Sequence, residues 1–120
     1  MEIKHADDFE SLYANNIRFE SSVWDLKLLF GLLDQSDGKE LVDLHTGISI
    51  PWTTAKLLVY FLRLNIMIHE TENGKIRINP RVYPPQPGEL EAEHANNAVA
   101  HKVRAAAIKL REEFLEEQEG

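Results

Sequence analysis

Asp43 and His45 stand two residues apart on a stretch that reads as a strand, the closest approach in this chain to a catalytic pair. Alternate strand residues share a face, so a carboxylate at that spacing could orient an imidazole as a general base. No nucleophile is marked by any motif beside them, and the pair reads more simply as a polar, solvated strand face. His94 and His101, with Asn97 between them, share one side of a helical pattern. Imidazoles seven residues apart are about 10 Å apart along a helix axis, too far to hold one ion without a partner chain, and a metal needs converging ligands. His69, beside Glu70, closes an apolar helical run, where a cationic ring would suit the helix dipole. Gly74-Lys75 lacks the preceding glycine and the following Ser/Thr of a phosphate loop. The chain has no Cys, which excludes disulfides, thiolate nucleophiles and Cys-based metal centres. The reading is therefore of no catalytic residue, no metal ligand, no cofactor and no enzyme.

A nucleic-acid face is the strongest rival chemistry. Arg18, Lys75 and Arg77, with Lys27 and Arg81, could line one sheet, and Tyr13, Phe19 and Tyr83 could stack on single-stranded bases. The charge balance opposes it, with 13 Lys+Arg against 20 Asp+Glu and a net charge of −7. That balance argues against nucleic acid as a partner, and the same rings alternate with polar residues as core residues of a strand do.

The elements that must carry these residues follow from periodicity. Tyr13 to Glu20 alternates, with Tyr13, Ile17 and Phe19 on one face, and predicts a first strand. Val23 to Leu33 alternates again, and its second face turns apolar from Leu29 onward, so that end is covered on both sides or paired with another chain. Asp37-Gly38 predicts a turn into a third strand, Glu40 to Ile50, with Val42, Leu44, Thr46, Ile48 and Ile50 on one face. A three-stranded antiparallel meander is the economical arrangement. From Pro51, suited to a first helical turn, the period changes: Ala55, Leu58, Val59, Leu62 and Ile66, widened by Leu57, Phe61, Leu64 and Ile68, predict a helix. Only Lys56, Arg63, Asn65 and Glu70 mark a wet side. A helix this apolar demands a second sheet, the C-terminal helix or a partner subunit. Asn73-Gly74 closes it, and Lys75 to Asn79 reads as a short strand stopped by Pro80.

Residues 1–83 therefore form an α+β domain, 84–88 a proline-rich spacer of extended, polyproline-like backbone, and 89–120 an acidic C-terminal helix. That helix has a narrow, Ala-rich stripe through Val99, Val103, Leu110 and Phe114, which buries little area unless it finds a close partner. At 120 residues the chain can build one core and not two. Met1 to Glu10 has four acidic residues and no apolar stretch of the secretory kind, and no run approaches the ~20 residues of a bilayer span. A cytoplasmic protein without a membrane partner is the expectation.

An ordered set of short motifs adds a likeness. Tyr13-Ala14-Asn15-Asn16-Ile17-Arg18, then Ser22, Asp25, Leu28 and Phe30-Gly31, then Pro51, Ala55-Lys56-Leu57-Leu58, Asn65-Ile66, and finally Glu70 with Gly74-Lys75-Ile76, resemble a family of small bacterial proteins known only as a domain of unknown function. The resemblance covers about residues 12 to 79 and implies a strand-strand-strand-helix unit with no assigned activity. The order of elements is also similar, at the level of fold alone, to an export chaperone that binds unfolded chains.

Together these readings predict an α+β fold, an antiparallel meander packed against one central apolar helix with a C-terminal helical arm. The expected function is protein association as a homodimer or higher oligomer, with a second protein as a further partner. Trp24, Leu29, Trp52 and Phe61 would supply buried area, and Val99, Val103, Leu110 and Phe114 would dock the arm, on its own chain or on a neighbour. Large exposed apolar patches mark association surfaces. A single-stranded nucleic-acid binder and a chaperone-like peptide binder are the alternatives.

Overall fold

Three strands, starting one to three residues after the alternation at Tyr13, Val23 and Glu40, form an antiparallel sheet in the order β1-β2-β3, in a computed structural model that describes residues 1–34, 38 and 40–120. They are β1 (Asn16–Ser21), β2 (Asp25–Asp34) and β3 (Leu41–Pro51), followed by α1 (Trp52–Asn73) and α2 (Ala98–Glu119). The mixed α+β class is as the sequence predicts. The chain divides into two compact units, Met1–Ile68 and His69–Gly120.

The first hairpin turns on Ser22. Its hydroxyl oxygen accepts the backbone N–H groups of Trp24 and Asp25, both at 3.1 Å, and its O–H donates to the Asp25 carboxylate at 3.0 Å. A side chain that satisfies two turn donors fixes the loop without a glycine. At the far end of the hairpin, Asn15 donates its N–H to Gly31 O at 3.0 Å, and its side-chain Oδ1 accepts the N–H of Leu33 at 2.7 Å. The Asn15 amide thus adds a rung to the ladder beyond the first residue of β1. Of the predicted Asp37-Gly38 turn, Asp37 lies outside the described residues and Gly38 has a φ of 72°, as a turn glycine should.

The second hairpin contains an irregularity that alternation alone does not reveal. Phe30 pairs with Thr46 but Gly31 pairs with Leu44, so His45 is an extra residue in β3, a β-bulge. Cross-strand partners share a face, and one extra residue exchanges the faces beyond it. Ile17, Phe19, Leu26, Leu28, Phe30, Thr46, Ile48 and Ile50 accordingly lie on one face. Val42 and Leu44, expected with them, lie on the other, with Leu29 and Leu33. This corrects the predicted face of β3 and explains why β2 turns apolar on both sides from Leu29 onward. A Cβ at Gly31 would run into the Asp43 carbonyl and approach Leu44 Cα to 2.8 Å, so the bulge admits only glycine there.

β3 runs directly into α1. Pro51 is its last strand residue, opposite Asp25, and not part of the first helical turn as predicted. The Trp52 indole N–H donates to Ser22 O at 3.0 Å, which ties the start of the helix to the β1–β2 turn. The helix ends as Asn73-Gly74 predicts: Gly74 has a φ of 92° and donates to Glu70 O at 2.9 Å. Glu70 Oε2 then accepts the N–H of Ile76 at 2.9 Å.

The strand predicted at residues 75–79 does not form. The Ile76 N–H is engaged by Glu70, and the Lys75 ammonium reaches the last carbonyls of α2, with Gly120 O at 2.6 Å, Glu117 O at 3.0 Å and Gln118 O at 3.1 Å. A cation on the terminal carbonyls is where the helix dipole favours one. The predicted C-terminal helix also starts later than residue 89. Asn97 caps it, its Oδ1 accepting Ala100 N–H at 3.1 Å, because a short amide competes for backbone donors and ends helical propagation from upstream.

Gly31→Ala should therefore disrupt the β2–β3 pairing, with a loss of roughly 2 kcal/mol or more, the upper part of the range for overpacking, read as a lower urea midpoint. Gly88→Ala, in open space, should leave the midpoint unchanged.

Candidate interaction surface

In an amphipathic helix the residues at steps of three and four face the core, but α1 has no buried residue at all. Leu57, Val59, Tyr60, Phe61, Leu62, Ile66, Met67 and Ile68 are all exposed, while Ala55, Leu58 and Leu64 are partly covered. Among the described residues the one buried hydrophobic side chain is Leu28, 7% exposed on the central strand. The sheet face around it keeps Ile17, Phe19 and Ile48 exposed. The protein thus presents apolar surface on the helix and on the sheet of the same unit.

The residues expected to supply buried area occupy distinct places. Trp24 is 84% exposed at the tip of the first hairpin. Leu29 is half-buried on the second sheet face with Leu33 and Val42. Trp52 is partly exposed, its indole N–H engaged by Ser22. Phe61 is exposed, edge-on to Tyr60 at 5.2 Å between ring centres.

In the second unit the spacer folds back along α2. Arg104 Nε donates to Gly88 O at 2.9 Å and Arg111 Nε to Pro84 O at 2.8 Å, and Tyr83 meets Phe114 edge-on at 6.0 Å. The repeat lengths agree: seven helical residues from Arg104 to Arg111 rise about 10.5 Å, and four polyproline residues from Pro84 to Gly88 span about 12 Å. The two arginines feed a segment whose prolines have no N–H and whose carbonyls therefore lack local donors. Of the four docking residues expected on α2, Phe114 takes this contact, whereas Val99, Val103 and Leu110 are exposed on the chain. The sequence stripe missed Arg104 and Arg111 because their aliphatic stems and donors do not register in a hydrophobic pattern.

The chemical candidates are occupied otherwise. His45 Nε2 donates to Tyr13 O at 2.9 Å, which leaves Nδ1 to accept the Thr46 hydroxyl at 2.7 Å. Both ring nitrogens are used and Asp43 orients neither. His101 Nε2 donates to Ala95 O at 2.6 Å. His94 instead lies 3.4 Å from Glu93, and its ring nitrogen, with Glu91 and Glu93, forms an exposed trio of ligand-type atoms within 4.8 Å of one another. Such a trio is ordinary for an acidic surface turn. The cationic face does not assemble on a sheet either: Lys75 and Arg77 belong to no strand, Lys75 is held by the end of α2, and Arg18 donates to Asn16 Oδ1 at 3.2 Å beside the Lys27–Glu20 pair.

The chain belongs to the family described as a protein of unknown function, DUF3467, whose model matches residues 1–78. No curated protein and no solved structure matches it significantly. No described helix is long and apolar enough to cross a membrane.

Docking of the spacer makes a distinction between variants. Phe114→Ala or Arg111→Ala should open residues 83–88 to protease several-fold faster, whereas Val103→Asp should leave the cleavage rate unchanged, as read by limited proteolysis.

Proposed function

We propose that the protein is a protein-interaction module whose first act is to associate with itself. The observation that carries this reading is that α1, apolar on most sides over 22 residues, has no buried residue in the single chain. Ordering each residue costs roughly 1–2 kcal/mol of conformational entropy, and full burial of one large apolar side chain returns about 1.5–3 kcal/mol. With Leu28 the one buried hydrophobic side chain among the described residues, the sheet-helix unit has most of its apolar surface left for a second copy to cover. Trp24, Trp52 and Phe61 on this unit, and Val99, Val103 and Leu110 on α2, are the exposed residues that such cover would take up.

Self-association fits better than the rivals. The Lys75 ammonium, central to a nucleic-acid face, is engaged by three carbonyls, and the net charge of −7 repels phosphate. Both His45 nitrogens are committed to the fold, which supports a reading without catalysis. A second protein joins an oligomer of this kind at the surfaces that self-association leaves open, with the acidic C-terminal turns of α2, Glu112 to Glu119, favouring a basic partner.

Native mass spectrometry of the protein at low salt should give a homo-oligomer, and Leu62→Asp, which puts a charge in the middle of the exposed α1 surface, should shift it to monomer by at least tenfold in dissociation constant. A monomeric parent chain at micromolar concentration would sink the reading.

A further inference from the structure

The surface of α1 carries its own instructions for a partner. Ala55, Val59, Leu62, Ile66 and His69 follow steps of four and three, the spacing of a helix-pairing seam. A second apolar stripe, Leu57, Phe61, Leu64 and Ile68, lies roughly 150° away around the helix at 100° per residue. The stripes differ in what flanks them. Beside the second stand Leu58, Tyr60, Asn65 and Met67, which carry no charge. Beside the first, at steps of seven, stand Lys56, Arg63 and Glu70. Among the described residues neither Lys56 nor Glu70 has an oppositely charged partner within 4 Å. Glu70 is held at the rim through Oε2 by the N–H of Ile76.

We propose that α1 pairs antiparallel with α1 of a second copy through the Val59, Leu62 and Ile66 stripe, in the register that sets Lys56 against the partner's Glu70. The inference rests on the self-association proposed above and names its geometry. In an antiparallel pair each first-type seam position faces a second-type position of the other helix. Leu62 then meets the partner's Ile66, and Val59 meets the partner's His69. The same register brings Lys56 against the partner's Glu70 on one flank, twice by the two-fold symmetry. On the other flank it brings Asn65 against its own copy. Arg63 lies on the axis opposite the partner's Arg63, a like-charge contact between the two ion pairs. A parallel pair leaves Lys56 and Glu70 at opposite ends of the assembly with no opposite charge to meet, so the charge pattern selects the antiparallel direction.

Leu62 is 53% exposed and Ile66 47%. Taking roughly 100 Å² from each of Val59, Leu62 and Ile66, and from the stems of Lys56 and Arg63, the seam supplies about 500 Å² of the ~800 Å² per partner of a stable interface and leaves the remainder to other surfaces of the chain. The second stripe remains open for the rest of the assembly.

The test uses chains with exchanged charges. Lys56→Glu and Glu70→Lys, purified separately, should each dimerise about tenfold more weakly than the parent in sedimentation velocity. Mixed one to one they should regain the parental affinity, because the mixed pair again opposes unlike charges at both ends. Recovery in the mixture also shows that Glu70→Lys, which loses the acceptor for Ile76, still folds. In this cysteine-free chain, Asn65→Cys should close a disulfide between copies on mild oxidation, whereas a parallel pair would favour Leu62→Cys. A parent that dimerises while the charge variants neither weaken nor rescue the dimer overturns the register and leaves self-association standing; a monomeric parent overturns both.

Discussion

Only β2 has a strand on each side, and Leu28, the one buried hydrophobic side chain among the described residues, sits on it. A three-stranded meander has one central strand, so its register with the two neighbours sets the face of every other sheet residue. On the β1 side that register is extended by the Asn15 amide, which takes the N–H of Leu33. On the β3 side it is offset by the His45 bulge, which Gly31 makes sterically possible. The bulge places Val42 and Leu44 on the face of Leu29 and Leu33, giving one end of the sheet two apolar sides. His45 then serves the fold twice, its ring joining the backbone of Tyr13 to the hydroxyl of Thr46. A histidine with both nitrogens engaged in this way holds a segment in place.

A sheet with two open edges and a helix without buried residues belong to the same problem. The hydrophobic effect rewards area removed from water, and three strands can cover only part of one apolar helix. The tie from Trp52 to Ser22 fixes where α1 starts, and the Gly74 cap fixes where it ends, both with local hydrogen bonds that need no core. The helix is thus defined by its ends, with no buried residue along its length and only Ala55, Leu58, Leu64 and Glu70 partly covered. That combination underlies the self-association proposed above, to which the pattern of Lys56, Arg63 and Glu70 would give a direction.

The second unit solves its covering problem differently. Its helix is Ala-rich and its partner strip is a polyproline segment, so little apolar area is at stake and directed hydrogen bonds from Arg104 and Arg111 set the alignment. The Lys75 ammonium closes the far end on three carbonyls. Basic side chains that would look available for an anionic ligand in the sequence are spent on main-chain oxygens. With Arg104 and Arg111 so engaged, the exposed charge of α2 is Lys102 and Lys109 along its middle and the carboxylates of its last turns.

Period and punctuation in the sequence determined the elements: two-residue alternation for the three strands, a period near 3.6 for α1, Asn73-Gly74 for its end and the prolines for the extended spacer. These are local properties, set by backbone sterics within a few residues. The motif around Tyr13 to Arg18 and its successors also carried the family. Only the tertiary structure decided the rest, because the deciding contacts join residues far apart in the chain. The bulge at His45 depends on what Gly31 leaves room for across the sheet, and it moved Val42 and Leu44 to the face opposite the one alternation gives them. Residues 75–79 have strand-like residues but no ladder, since Glu70 and the end of α2 engage them first. Asn97 claims the start of α2 from a stretch whose composition favours helix throughout. The apolar stripe of α2 pointed to Val99, Val103 and Leu110, yet the spacer packs on Phe114 and is bonded by two arginines, because a polyproline segment needs donors more than it needs apolar area.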